Sequence, residues 1–284
     1  MAGAESLAPL DKGVVRRNWD IRAAAWNRWA EVMEKVAGRF NEPLLDAAEV
    51  ASGHRVLDLA SGVGEPALSC ARRIGPEGVV TATDMSPDML DGARRRAAAA
   101  ELDTMRFEIA DMEALPFADE SFDEVICRFG IMFCPDPAAA LAEARRVLVA
   151  GGRTAWMVWG PMEDTTIFAV IQSRVRAALG LAPDPNLAQF RFAAPGLLAG
   201  LMTDAGLGDV AERELRLDAR PAAGSKFWRA NMEMSFAEEL ADATPAQRAE
   251  VERQVEAGFA EYLKDGAYHI TAHARIGVGR RPAA

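Results

Sequence analysis

The sequence predicts an α/β fold: a mainly parallel sheet of seven strands, helices on both faces, and a helical cap. Two observations carry this. Between residues 54 and 160, short apolar runs alternate with stretches of helical period, the pattern that gives parallel strands joined by crossover helices. The joints are marked by Pro where helices start and by Gly and Asp where helices and strands end, as backbone geometry demands.

Taken in order, residues 14–36 read as one helix, with Trp19, Trp26 and Trp29 on a shared face. "FNEPLLDAAEV" is a second helix. Strand 54–60 follows, then a helix with Pro66 near its first turn and Gly75 at its end. Strand 78–84 leads into a helix with Ser86 as N-cap and Pro87 at its first position. Strands 105–111 and 122–130 come next, then helix "PAAALAEARRVLVAGG", expected to stop at its glycines, and strand 153–160. Beyond Gly160 the text gives a helix over 163–179, a Pro-punctuated connection (182–192), a short helix, strand 209–218, a helical insertion (224–264) and a last strand (267–279). The expected organisation is a lid over 1–50, a ligand-binding core over 51–160, and the rest of the sheet with cap insertions over 161–284, all within one structural domain.

The formal net charge of −10 disfavours a nucleic-acid partner. Cys70, Cys127 and Cys134 match no zinc or CxxC spacing and read as buried free thiols. "MAGAESLAPLDKG" lacks the apolar core of a signal peptide, and no stretch approaches a membrane span. A cytoplasmic protein is expected, either monomer or homodimer.

"VLDLASGVGEP" (56–66) is an apolar strand ending in a carboxylate, then a small-residue turn. Gly62, Gly64 and Ala67 fit the dinucleotide pattern GxGxxA, and Asp84 stands where a ribose-binding acid belongs. Asp58 argues against a pyrophosphate, which it would repel. It would attract a ligand bearing a sulfonium and an ammonium. Asp58, Asp84 and Asp111 also close three successive strands at one rim. A nicotinamide-dependent oxidoreductase leaves Asp58 and Asp111 without a task.

The segments "VLDLASGVGEP", "VTATDMSPDML", "FEIADMEALPFADESFDEVICRFGIMF" and "AAALAEARRVLVAGGR" resemble the class I S-adenosylmethionine-dependent methyltransferases. The likeness is to the branch of ubiquinone/menaquinone C-methyltransferases and many small-molecule methyltransferases, and it covers roughly residues 50 to 160. It implies a Rossmann-like sheet with the last strand antiparallel. It implies S-adenosyl-L-methionine as cofactor, with S-adenosyl-L-homocysteine as product. Asp58 and the backbone of Ala60, Ser61, Gly62 and Gly64 would hold the amino-acid end. Asp84 would take the ribose hydroxyls, Met85 and Met112 would flank the adenine, and Asp111 would reach its amino group. Met89 and Glu113 complete the cofactor set, and Arg128 faces the methyl donor. The family usually has glycine where this chain has Ala60.

Methyl transfer is an in-line displacement with a neutral leaving group, so it requires no metal. Its main demands are orientation and exclusion of water. The resemblance makes the Trp-bearing N-terminal helix the lid, with Trp19 and Trp26 as walls. Phe129, Trp159, Phe168, Phe192, Trp228 and Met232 are the other candidate substrate residues, suiting a medium-sized aromatic or prenylated small molecule. O- or C-methylation is expected. No general base is named. His54 stands at the start of the first strand, the wrong end of the sheet, and His269 and His273 alternate with Thr271 and Arg275 on what reads as a solvated strand face. The alternative function is a protein of this fold that catalyses a non-methylating step or scaffolds a partner.

Overall fold

The computed structural model describes residues 7–184 and 187–283. The first six residues of the N-terminal stretch and two of the Pro-punctuated connection lie outside the described residues.

Strands β1 (Arg55–Leu59), β2 (Val79–Asp84), β3 (Met105–Ile109), β4 (Phe122–Arg128), β5 (Leu148–Trp159) and β6 (Gly208–Ala219) belong to the main sheet. The short β7 (Leu263–Lys264) and β8 (Ala267–Tyr268) form a separate hairpin, and β9 (Ile270–Arg280) returns to the main sheet. The main sheet has seven strands in the order β3-β2-β1-β4-β5-β9-β6. β1 to β5 pair in parallel, and β9 is antiparallel to both β5 and β6. This is the expected seven-stranded, Rossmann-like sheet with its last strand reversed.

The helices are α1 (Lys12–Ala37), α2 (Asn41–Ala47), α3 (Ala67–Ile74), α4 (Pro87–Ala99), α5 (Pro137–Val147), α6 (Thr166–Leu179), α7 (Leu197–Asp204), α8 (Arg229–Ser235), α9 (Ala237–Asp242) and α10 (Pro245–Phe259). Side-chain alternation along β1 and β4 divides the core into two layers. Val56 and Ile126 pack with α2 and α3 through Leu44, Leu45, Leu68 and Ile74. Leu57, Leu59, Val125 and Cys127 pack with α5 and α7 through Leu141, Val147, Leu198 and Met202. A third cluster joins α6, α8 and α10 around Trp228, Phe236 and Phe259. All three cysteines are buried and free.

Three expectations need correction. The helix expected to run to its glycines stops at Val147, and Leu148–Gly152 opens β5. There the β4–β5 register shifts between Phe122 and Glu124, and a Cβ on Gly152 would lie 2.9 Å from the carbonyl oxygens of Asp123 and Val149. These glycines serve a bulge, not a helix cap. Ser86 holds the N-cap position of α4 as expected; its side chain makes no capping bond among the described residues, and its amide donates to Asp84 Oδ1 at 2.9 Å. The last strand divides at His269, with β8 pairing β7 and β9 pairing the sheet. His273 and Arg275 do not face solvent. They are 1% and 5% exposed, because the segment before α6 and the connection before α7 cover them through Asp164, Thr165 and Ala193.

Candidate active site

The carboxyl ends of the parallel strands open into a cavity of about 510 Å³, roofed by α1 and by the insertion helices α8 and α9. Ligands in open α/β sheets bind at this end.

On its floor, the turn after β1 is left-handed at Ala60 (φ 54°), Gly62 (φ 54°) and Gly64 (φ 110°). Gly64 is obligatory for packing, since a Cβ there would lie 2.3 Å from Leu68 Cδ1 and 3.3 Å from Ala93. Asp84, at the end of β2, fixes the turn by accepting from the Gly62 amide at 2.9 Å while its other oxygen takes Ser86 N–H. Each of its oxygens keeps acceptor capacity. Burial raises its pKa, and these amides oppose the rise. Asp58 is fully buried, and neither oxygen has a hydrogen-bond partner among the described residues. Burial holds its carboxyl well above the usual carboxylate range, the Arg128 guanidinium pulls the other way, and Glu65 adds to the rise.

A buried polar network pins the turn to the lid. Glu65 accepts from Asn41 Nδ2 and Ser69 Oγ, both at 2.8 Å, and Arg128 donates to Asn41 Oδ1 at 2.6 Å and to the Ala37 and Glu65 carbonyls. Arg96 donates to Val63 O and to Glu34 Oε2 on α1. Gly92 of α4 leaves room for Asn27 of α1, which donates to Asp88 O. At the other end of α1, Lys12 pairs with Asp111 at 2.6 Å and with Glu113. Glu113 also accepts from Cys134 Sγ and from the Asp136 amide, so it secures the loop after β4.

Next to this network the cavity wall is aromatic. Phe129 stacks on Trp159 with centroids 3.9 Å apart and planes 8° from parallel. Phe40 meets both edge-on, and Phe168 closes on Trp159 at 5.1 Å. Trp19 contacts Trp26 and Phe133 edge-on.

Of the expected cofactor residues, Ala60, Ser61, Gly62, Asp84, Met85, Met89, Asp111, Met112, Glu113 and Arg128 line this cavity. Asp58 and Gly64 lie beneath the lining. Of the expected substrate residues, Trp19, Trp26, Phe129, Trp159 and Phe168 line it. Phe192, Trp228 and Met232 do not: Phe192 packs under α7, and the other two fill the α6–α8–α10 core. Sequence reasoning missed Phe40, Asn41, Lys12 and the α8 residue Asn231. Their helical spacing gives no sign of which face meets the cavity.

The sequence profile described as a methyltransferase domain matches residues 56–152. An uncharacterized protein of Mycobacterium tuberculosis is 38% identical over 131 residues, 46% of each chain. The chain thus spans about half the length of that relative. A demethylmenaquinone methyltransferase of Thermus thermophilus is 36% identical over 179 residues, covering 59% of this chain and 80% of its own. The solved structure of the [4+2]-cyclase SpnF superposes with a TM-score of 0.64 over 98% of this chain and 99% of its own, at 18% identity, which marks a common fold. Fold and sequence together define the class: the chain belongs to the class I S-adenosylmethionine-dependent methyltransferase family. Within that family it falls in the ubiquinone/menaquinone C-methyltransferase branch.

Proposed function

We propose that the protein is a cytoplasmic S-adenosylmethionine-dependent methyltransferase. Its substrate is a medium-sized apolar or aromatic small molecule, methylated on oxygen or carbon. The observation that carries this reading is one cavity that joins Asp84 and Asp111 at the strand rim to the Phe129–Trp159 stack. The bound cofactor supplies an electrophilic methyl group on a positively charged sulfur.

The chain's own residues fit that ligand. Asp84 has acceptor capacity left for two hydroxyls, and Asp111 for an amino group. Asp58 is a buried carboxyl without a hydrogen-bond partner among the described residues, and a cationic ligand above the turn would offset the cost of its charge. The Phe129–Trp159 stack would hold a flat substrate, and α1, docked by Asn27 and Lys12, would exclude water.

The test is calorimetry with S-adenosylmethionine, S-adenosylhomocysteine and, as control, reduced nicotinamide cofactor. Binding of the adenosyl ligands alone, in the micromolar range, supports the reading, and saturable binding of the nicotinamide cofactor alone overturns it. A second reading is favoured by the likeness to SpnF, a cyclase of the same fold. It predicts adenosyl binding without formation of S-adenosylhomocysteine across a panel of phenols and quinols.

A further inference from the structure

Five arginines line the cavity among the described residues: Arg22, Arg39, Arg96, Arg128 and Arg176. Four of them are engaged. Arg39 donates to Asp218 O, and Arg96 and Arg128 belong to the network around Glu65. Arg176 donates to Gln172 Oε1 and Ala182 O. Among the described residues Arg22 makes neither a hydrogen bond nor an ion pair. Its guanidinium lies over the Trp19 ring, 5.6 Å from the centroid. Glu238 and Glu239 act on it only through space, and burial disfavours its charged form.

A guanidinium stays charged at any physiological pH. A partly desolvated one without a partner is costly unless something completes it. Arg22 stands one helical turn before Trp26, so both belong to the face of α1 that lines the cavity. Other donors line the same chamber without partners. Asn231 of α8 is 8% exposed and makes no side-chain hydrogen bond among the described residues. The amide nitrogen of Gln189 is buried and unpartnered.

We propose that Arg22, assisted by Asn231 and Gln189, anchors an anionic oxygen of the substrate, so that the chamber selects an apolar or aromatic acid over its neutral analogue. The planar fork of the guanidinium matches a carboxylate, sulfonate or phenolate oxygen. The apolar and aromatic walls take the remainder of the molecule. This deepens the functional reading above and rests on it.

A matched pair of fluorescent probes tests it: 8-anilinonaphthalene-1-sulfonate and N-phenyl-1-naphthylamine, which differ only by the sulfonate. Arg22→Met should weaken the sulfonate probe by about tenfold or more, roughly the contribution of one charge-assisted pair, and leave the neutral probe unchanged. Arg22→Lys, which keeps the charge and loses the planar fork, should weaken the sulfonate probe less than Arg22→Met does. Asn231→Asp, which adds a negative charge to the same chamber, should weaken the sulfonate probe alone. It decides the matter if Arg22→Met does not fold. Equal losses for both probes, no loss for either, or no binding to the parent protein overturns the proposal. Calorimetry with S-adenosylhomocysteine on the same preparations separates the two readings. Loss of that binding in the parent sinks the methyltransferase assignment and leaves the probe result standing.

Discussion

The methyl of Ala60 and the bare α-carbon of Gly130 face each other at the cavity floor: a Cβ built on Gly130 would lie 2.6 Å from that of Ala60 and 2.9 Å from Cys127 Sγ. The turn after β1 and the turn after β4 therefore share one space. Where the family usually has glycine at the first position, this chain has alanine in a left-handed conformation. Gly130→Ala should destabilise by about 1–3 kcal/mol through overpacking. Adding Ala60→Gly should restore part of that, about 1 kcal/mol of coupling in a double-mutant cycle. Ala60→Gly alone should be close to neutral, because relief of the left-handed strain and the greater chain entropy of glycine oppose each other. Denaturant unfolding of the three variants measures all of this.

Asp58 carries a sign that can be checked. Its folded-state pKa stands above its unfolded value, owing to burial. Its contribution to stability is therefore fully present below the unfolded value of about 3.9 and is lost as pH rises through the folded one. Asp58→Asn should make the ligand-free protein more stable at neutral pH, by roughly 1–3 kcal/mol. The same variant should bind S-adenosylmethionine more weakly. Thermal melts with and without ligand would show the two effects in opposite directions.

Glu124 gives a second pH dependence, at the other end of the sheet. One oxygen lies 2.6 Å from His54 Nδ1, the other is buried without a hydrogen-bond partner among the described residues, and burial pushes the carboxyl from 4.5 up to about 8. Stability from this group is complete below 4.5 and lost as pH climbs through about 8. Glu124→Gln should flatten that fall, gaining about 1 kcal/mol or more relative to the parent at about pH 9. Melting curves at about pH 5 and about pH 9 would read it.

Lys12 ties the first turn of α1 to Asp111 and Glu113, and those carboxylates raise its pKa. Lys12→Met should cost little global stability, about 0.5–1 kcal/mol, as exposed ion pairs do. It should speed amide exchange in the first half of α1 and hasten release of S-adenosylhomocysteine. Hydrogen-exchange mass spectrometry and stopped-flow displacement measure the two.

Much of the sheet and of the rim was legible because its signals are local. Asp84 ends β2, Asp58 stands one residue inside the end of β1 and Asp111 lies just beyond β3, so period and punctuation alone placed them. What escaped is set by distant neighbours. Arg128 meets Asn41 and Lys12 meets Asp111 across most of the core, and no window of sequence holds both partners. His273 and Arg275 alternate as a solvated face would, yet the segments before α6 and α7 cover them. Trp228 and Met232 have the character of pocket walls, yet they turn toward α6 and α10.

Ala219 and Ile270 are partners on one rung of the β6–β9 ladder. Everything between them, including α8, α9 and α10, leaves the sheet and returns to the same point. Closing such a loop costs only about 0.6 kcal/mol more for each doubling of its length. The part of the cavity roof that α8 and α9 supply can therefore be lengthened, shortened or replaced as a cassette while the strands beneath keep their register. A lineage can then diversify what it modifies without touching how it holds the donor, and a protein engineer can cut at the same two residues.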